Sequence, residues 1–253
     1  NEQQWGWLLS AFLLGYGIFE IPSGGLGDSI GQRRVLTRIV VWWSAFTAFT
    51  GWAWNFGSLL VVRGLFGAGE AGAFPNLTRV LTTWLPVKER ERAQANLWLA
   101  TRVSAAFTPV LVATLIGAIG WQRTFEVCGV IGIIWAYFFY RWYRDRPSEH
   151  PAVNQAELAM LPPAKDTDIA REGVPWALIF STPSVWLLSI QYMCLAYGWW
   201  IYINWLPTYL RESRGTTITM GALLAGLPLL LGGAGCLVSA VGNSVLPRPV
   251  SSV

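Results

Sequence analysis

An arginine and a glutamate stand in an otherwise apolar stretch of the sequence, RGLFGAGEAGAFP, at positions 63–75. Arg63 and Glu70 are seven residues apart, so on a helix they share one face and differ by about 10 Å in height. That separation is too large for a direct ion pair, and Gly67 leaves a gap between them on the same face. Intramembrane charges usually face a cavity or a partner. The pattern predicts an anion-binding arginine beside a proton-carrying carboxylate, with a structural charge pair to a neighbouring helix as the alternative.

The same stretch contains the glycine spacing of dinucleotide-binding loops, G-x-G-x-x-G, at Gly67, Gly69 and Gly72. Such a loop has to follow a strand and open a helix. Here the glycines lie within one long apolar run, predicted as a single span over Phe56–Leu85, with no turn before them. Small residues at intervals of four instead predict close packing between transmembrane helices.

The composition places the chain among polytopic membrane proteins. Of its 253 residues, 53% are hydrophobic and 13% are charged, whereas a soluble domain has about 25% charged residues. The 16 tryptophans are typical of membrane–water interfaces. The net charge of +4 does not indicate nucleic-acid binding, because the basic residues lie in short loops between apolar runs. Seven runs are long enough to cross a bilayer, roughly Trp5–Ser23, Val35–Trp54, Phe56–Leu85, Ala93–Ile119, Thr124–Tyr143, Val185–Leu210 and Met220–Val241.

The basic residues between these runs predict the orientation, since cytoplasmic loops are enriched in Lys and Arg. The N-terminus is expected outside the cell's inner (plasma) membrane. The polar, Pro-rich segment 144–183 is expected to be a cytoplasmic loop between an N-terminal bundle, residues 1–143, and the start of a second bundle, residues 184–253. The basic set comprises Arg33, Arg34, Arg38, Lys88, Arg90, Arg92, Arg141, Arg144, Arg146, Lys165 and Arg171, and the opposite set Arg123, Arg211 and Arg214.

Three further residues have candidate or assigned roles. Arg102 lies in the span after Glu70, and two buried arginines suit a carboxylate-bearing ligand because guanidinium binds carboxylate as a fork; packing near the cytoplasmic end is the alternative for Arg102. Tyr16 offers a hydroxyl from an apolar wall, with ordinary helix packing as its alternative. His150, the single histidine, is expected to be part of the linker.

A pattern of glycines and charges comes directly after the first span. We call residues Gly24–Arg34 the motif segment and expect it to form a tight cytoplasmic loop. The run Lys88–Arg92 is expected to be a solvated loop whose charges pair with the motif segment in one state of a gate. The segment carries Gly24, Leu26, Asp28, Gly31, Arg33 and Arg34.

The motif segment resembles the signature of the major facilitator superfamily between its second and third spans. LLVVRGLFGAGEA resembles the fourth-span motif of that family. FEIPSG, RGLFGAGEAGAFPN, YRDRPSEHP and LPTYLRESRG resemble its anion:cation symporter branch, which includes carriers of hexuronates, galactonate, glutamate and sialic acid. The resemblance implies an all-α, polytopic major facilitator fold that is truncated, with spans two to eight of twelve present.

The resemblance also implies roles for particular residues. In that branch the fourth-span arginine and glutamate, here Arg63 and Glu70, matter for anion binding and proton coupling. A glutamine followed by an aromatic in span seven, here Gln191 and Tyr192, lines the substrate cavity together with the tyrosine of span two, here Tyr16.

These features predict a monomeric carrier, not an enzyme, that moves a small organic anion such as a sugar acid together with a proton. An anion exchanger, a sodium-coupled carrier for organophosphate or other carboxylates, and a non-transporting membrane sensor are the alternatives. A seven-helix receptor or retinal protein is disfavoured, because retinal needs a lysine in a span and Lys88 and Lys165 both lie in loops. No cofactor is expected, and no metal site is expected because the sequence has no Cys/His cluster.

Overall fold

The computed structural model describes residues 2–161, 176–216 and 218–245 of the chain. Lys165 and Arg171, two of the basic residues that predict the orientation, lie outside these ranges. Within the described ranges the regular structure is helical, with a short 3₁₀ turn at Pro147–Glu149. The α-helices are α1 Glu2–Ile30, α2 Gln32–Gly51, α3 Phe56–Glu70, α4 Ala73–Trp84, α5 Val87–Ile119, α6 Trp121–Trp142, α7 Gln155–Met160, α8 Trp176–Ser181, α9 Pro183–Arg214 and α10 Ile218–Val245.

Six of the seven predicted spans correspond to single long helices, namely α1, α2, α5, α6, α9 and α10. Among the described residues, three helices are long and apolar enough to cross a membrane by length and composition alone, at Gln3–Ile30, Val87–Ile119 and Trp121–Trp142. The all-α architecture predicted from the apolar runs is confirmed.

The seventh predicted span, Phe56–Leu85, is wrong as a single helix, because the chain breaks at Ala71 and Gly72. Gly72 has a φ of 83° in the left-handed region, which only glycine adopts without strain. Pro75 comes next in the first turn of α4, where its missing N–H costs nothing, whereas in a continuous helix it would clash with the carbonyl of Ala71. The break separates α3, which carries both charges, from α4.

The chain forms two compact units. The first comprises residues 1–94 and 112–167, and the second residues 95–111 and 168–253. In the first unit α1 packs against α3, and α2 packs against both α3 and α6. In the second unit α9 contacts α10. The predicted division at residues 143 and 183 stays a prediction.

The large apolar side chains point mostly outward. The buried cluster of the first unit is small, consisting of Val35, Ile39 and Ala73 with Leu26 and Trp43 packed against it. An apolar surface of this extent is unfavourable in water and suits a bilayer, since lipid tails are as apolar as the side chains that face them. The outer face of α6 is an example, with Val130, Ile131, Ile134 and Phe138 all more than half exposed.

Close backbone contacts hold α1 against α3, as the small-residue spacing predicts. A Cβ atom at Gly15 would overlap the carbonyl oxygen of Gly64, and one at Gly67 would overlap that of Phe12. The start of α3 is fixed by a capping box, in which the Asn55 side chain accepts a hydrogen bond from the Ser58 backbone N–H at 2.7 Å. These contacts fix the place of α3 in the first unit.

Candidate functional site

Arg63 lies in α3, half-buried, at the wall of a cavity of about 540 Å³ in the first unit. Its guanidinium carbon is 5.7 Å from the centre of the Phe66 ring and 6.0 Å from that of Phe125. Among the described residues that line the cavity, Arg63 is the single charged side chain, and none carries a carboxylate. The lining is Gln4, Trp5, Leu8, Thr50, Ala53, Trp54, Asn55, Phe56, Leu59, Arg63, Trp121 and Phe125. Such a wall suits one anionic group.

Glu70 is the last residue of α3 and is half-buried. Its helix ends there with the Ala71 backbone N–H donating a hydrogen bond to the Gly67 carbonyl at 3.1 Å. Residues three and four positions further along would be its neighbours on a continuous helix. Because the chain breaks at Ala71 and Gly72, Ala73 and Phe74 do not continue that surface.

Arg63 and Glu70 share one helix but are not a direct ion pair. Within the described ranges, the ion pairs closer than 4.0 Å are Asp28–Arg79 and Arg211–Glu212. The charges of Arg63 and Glu70 still interact electrostatically at longer range. No described residue of a neighbouring helix forms an ion pair with either one.

The predicted gap at Gly67 is filled. Gly67 is buried, and a Cβ atom there would lie 3.1 Å from the backbone nitrogen of Tyr16. The glycine is needed for the close approach of α1, so it leaves no room for a ligand between the two charges. On another side of α3, the indole Nε1 of Trp42 donates a hydrogen bond to the Leu65 carbonyl at 2.8 Å, and its ring covers Gly69. Helix α3 is therefore held from both α1 and α2.

Tyr16 lies in α1 against α3, half-buried. Its ring is 6.0 Å from that of Phe12, which in turn lies 5.8 Å from Phe66. Tyr16 thus belongs to the same unit as Arg63 and Glu70, but it is not among the residues that line the cavity at Arg63.

Arg102, Gln191 and Tyr192 belong to the second unit. The guanidinium of Arg102 stacks on the ring of Trp199, 3.6 Å from its centre, which is a cation–π contact. Gln191 and Tyr192 are exposed on α9. Trp199 was not predicted as the partner of Arg102, because the aromatic residues of this helix give no local sign of which ring meets a neighbouring helix.

The motif segment does not form the predicted loop. It consists of the end of α1, a turn of one residue and the start of α2. Helix α1 continues to Ile30, and only Gly31, with a φ of 91°, separates it from α2. Since Gly31 has no side chain to cap α2, the carboxylate of Asp145 takes that role and accepts a hydrogen bond from the Arg33 backbone N–H at 2.8 Å. The guanidinium of Arg33 donates two hydrogen bonds, of 2.8 and 2.6 Å, to the Tyr140 carbonyl.

The charges of the motif segment have partners other than the predicted Lys88–Arg92 run. Asp28 pairs with Arg79 at 3.7 Å, with both side chains more than half exposed. Arg90 of the predicted run instead donates to the carbonyls of Thr82 and Leu85 at the end of α4. Two further residues of the motif segment have different surroundings. Gly24 packs against Pro75, whereas Arg34 is exposed.

His150 is not simply a linker residue. It is buried between the rings of Trp84 and Trp142, at centre distances of 5.6 and 5.3 Å. Its Nδ1 accepts a hydrogen bond from the Ala152 backbone N–H at 3.2 Å. The segment after α6 is thereby anchored to the ends of α4 and α6, next to Asp145.

The Asp145→Ala variant is expected to destabilise the first unit. Removing a cap from the start of a helix costs about 1 kcal/mol, which lowers the melting temperature by roughly 2–4 °C in a protein of this size. Asp145→Asn keeps an acceptor and should lose less. Thermal unfolding in detergent, followed by tryptophan fluorescence, measures the change. Glu149→Ala, at an exposed acid of the same segment, is the control; equal melting temperatures for the two alanine variants would show that Asp145 is not a cap.

Known carriers resemble this chain over almost its whole length. It is 33% identical over 237 residues to a probable sulfoacetate transporter, SauU, of Cupriavidus necator, which covers 93% of this chain and 55% of that protein. It is also 33% identical over 237 residues to a probable L-galactonate transporter of Escherichia coli, covering 92% of this chain and 52% of the relative. The chain thus spans about half the length of these curated relatives.

The fold likewise matches a solved carrier. A bacterial homologue of the human lysosomal transporter Spinster, crystallised inward-facing and unoccupied, superposes with a TM-score of 0.65 at 22% identity, covering 99% of this chain and 57% of that one. The family model of the Major Facilitator Superfamily matches residues 1–249. The chain belongs to the major facilitator superfamily, and its all-α membrane fold is the one that its motifs imply.

Proposed function

We propose that this chain is part of a secondary active transporter that carries a small organic anion, such as a sugar acid, into the cell together with a proton. The main support is the environment of α3. Arg63 is the one charge among the described residues that line its cavity, and Glu70 stands on the same helix without a direct ionic partner in the described part of the chain.

Arg63 is the group that binds the substrate anion. Its guanidinium presents a planar fork of donors that matches a carboxylate, and the aromatic lining of the cavity lowers the local dielectric, which strengthens that contact. The names of the relatives support an anionic substrate, since one is a probable transporter of sulfoacetate and another of L-galactonate. Tyr16, Arg102, Gln191 and Tyr192 are proposed as further substrate-binding residues.

Glu70 is the proton carrier in this proposal. Its carboxyl group takes up a proton from outside, so that the acid of α3 is neutral when Arg63 holds the substrate carboxylate. When Glu70 is protonated and Arg63 is paired with a carboxylate, neither site carries a net charge. Enclosing neutral sites in a low-dielectric region costs less free energy than enclosing two separate charges. Carriers built from repeats then rock two bundles around a site near the midplane, and release of both cargoes inside resets the cycle.

The proposed setting is the inner (plasma) membrane, with the protein a monomer. The N-terminus of this chain faces outside, and the basic ends of the helices, including the motif segment and the segment after α6, face the cytoplasm. At that end Arg33 contacts Asp145 and Arg79 pairs with Asp28, and cytoplasmic ends are enriched in Lys and Arg.

Competition of uptake tests the class of substrate. The full-length protein in proteoliposomes is offered a labelled sugar acid with hexuronates, aldonates, dicarboxylates or phosphate esters as competitors. Sugar acids are expected to compete, and phosphate esters are not. The second candidate is an exchanger of organophosphates, since an arginine fork suits phosphate as well; competition by phosphate esters alone, without net accumulation, would favour it and overturn the proposal.

A further inference from the structure

The break between α3 and α4 is held by one buried amide. Asn76 is 2% exposed, and its Nδ2 donates hydrogen bonds to two carbonyls, that of Gly72 at 2.7 Å and that of Ser23 at 3.2 Å. An amide NH₂ has two donors, so both are used. One acceptor lies in the break and the other in α1.

The same amide is enclosed on its oxygen side. A Cβ atom at Gly27 would overlap Oδ1 of Asn76, and a Cβ atom at Gly72 would overlap the Ser23 side chain. Ser23 is itself buried, and its Oγ accepts a hydrogen bond from Nη2 of Arg38 at 2.6 Å. Asn76 of α4, Ser23 of α1 and Arg38 of α2 therefore form one joint among three helices.

This joint determines the path of the chain immediately after Glu70. The backbone N–H of Asn76 also bonds the Gly72 carbonyl, at 3.3 Å, so a single residue holds that carbonyl twice. Pro75 bars a continuous helix here, so without the amide the break persists but is no longer tied to α1. Ala71 and Gly72 are then free to shift relative to α1, and Glu70, which directly precedes them, shifts with them.

We propose that Asn76 is a positioning residue for proton coupling, which fixes the α3–α4 break against α1 and so holds the Glu70 carboxyl in place at the end of α3. This inference rests on the proposed function, in which Glu70 carries the proton. Asn76 itself touches neither substrate nor proton. Its removal therefore alters coupling more than substrate binding.

The test compares two transport modes of the full-length protein in proteoliposomes. Asn76→Leu keeps a similar volume and removes both donors. Accumulation of a sugar acid driven by a pH gradient is expected to fall about tenfold or more, the scale that corresponds to two lost buried hydrogen bonds. Exchange of preloaded substrate is expected to stay within about twofold of wild type, and the pH dependence of that exchange is expected to shift.

Gly72→Ala tests the same joint by placing a Cβ atom against the Ser23 side chain. It replaces the Asn76 variant if that variant does not fold. The matched control is Gly120→Ala. Gly120 has the same φ of 83° with a ψ of 161°, a region essentially restricted to glycine, but a Cβ atom there would meet nothing within 4 Å, so it carries at least as much backbone strain without the joint. Gly72→Ala should reproduce the loss of accumulation with exchange retained, and Gly120→Ala should not.

The outcomes separate the positioning role of Asn76 from the proton symport on which it rests. If the wild type accumulates substrate with protons and the Asn76 and Gly72 variants accumulate as much as the wild type, the positioning role alone is overturned. Equal losses of accumulation and exchange would reduce Asn76 to a structural residue and overturn it too. A wild-type protein that moves the anion with no proton would overturn both.

Discussion

The Glu70→Gln variant is expected to lose proton-driven accumulation of substrate while it continues to exchange preloaded substrate at close to the wild-type rate. Glutamine keeps the size of the side chain and cannot carry a proton. It mimics the protonated acid, so the steps that move substrate across the membrane remain open. The measurement is uptake of labelled sugar acid under an inward proton gradient, compared with counterflow in the absence of a gradient.

The size of this effect should be large. Accumulation should fall to the level of simple equilibration, a loss of about a hundredfold where the gradient supplies roughly 2.7 kcal/mol. Glu89→Gln, at an exposed acid in the first turn of α5, is the control and should accumulate as wild type. If Glu70→Gln lost both modes equally, the carboxyl group would be structural and not a coupling group.

The Arg63→Ala variant is expected to lose substrate affinity in both modes of transport. Hydrogen bonds to a charged group contribute about 1.5–3 kcal/mol each, so the loss of even one bond of the fork should weaken binding by about tenfold to 150-fold. Arg63→Lys keeps the charge but not the planar fork, and it should bind with intermediate affinity. The measurement is the dissociation constant of a sugar acid, from quenching of tryptophan fluorescence in the purified protein.

A matched arginine separates this effect from a change in overall charge. Arg211 is exposed in the last turn of α9 and pairs with its neighbour Glu212 at 3.5 Å. Arg211→Ala should bind substrate as wild type. Equal affinities of the Arg63 and Arg211 variants would place the anion site away from the cavity at α3.

The long helices, and the presence of Arg63 and Glu70 on one of them, could be predicted from the sequence because both depend on local composition. Apolar runs define the long helices whatever their neighbours, and small residues at intervals of four indicated close helix packing at Gly64 and Gly67, although not that α1 is the partner. The placement of Arg63 and Glu70 on one helix followed from spacing alone. Gly72 and Pro75 also indicated the break, but the apolar run on both sides of them favoured one continuous span.

The partners that fix the site could not be predicted, since they lie far apart along the chain. Asn76 meets Ser23, and Asp145 caps a helix that begins more than a hundred residues earlier. Nothing in either local sequence marks these residues as partners. The contact of Arg102 with Trp199 is of the same kind, because several tryptophans of α9 are equivalent candidates until the helices are packed.

The decisive measurement for proton symport is the internal pH during substrate entry. Proteoliposomes that hold the full-length protein and a pH-sensitive dye receive hexuronates, aldonates and dicarboxylates in turn, without a preset gradient. A sugar acid is expected to acidify the interior with the wild-type protein and not with Glu70→Gln. An unchanged internal pH with every acid, in a protein that still exchanges one of them, would contradict proton symport and leave Glu70 as a structural charge.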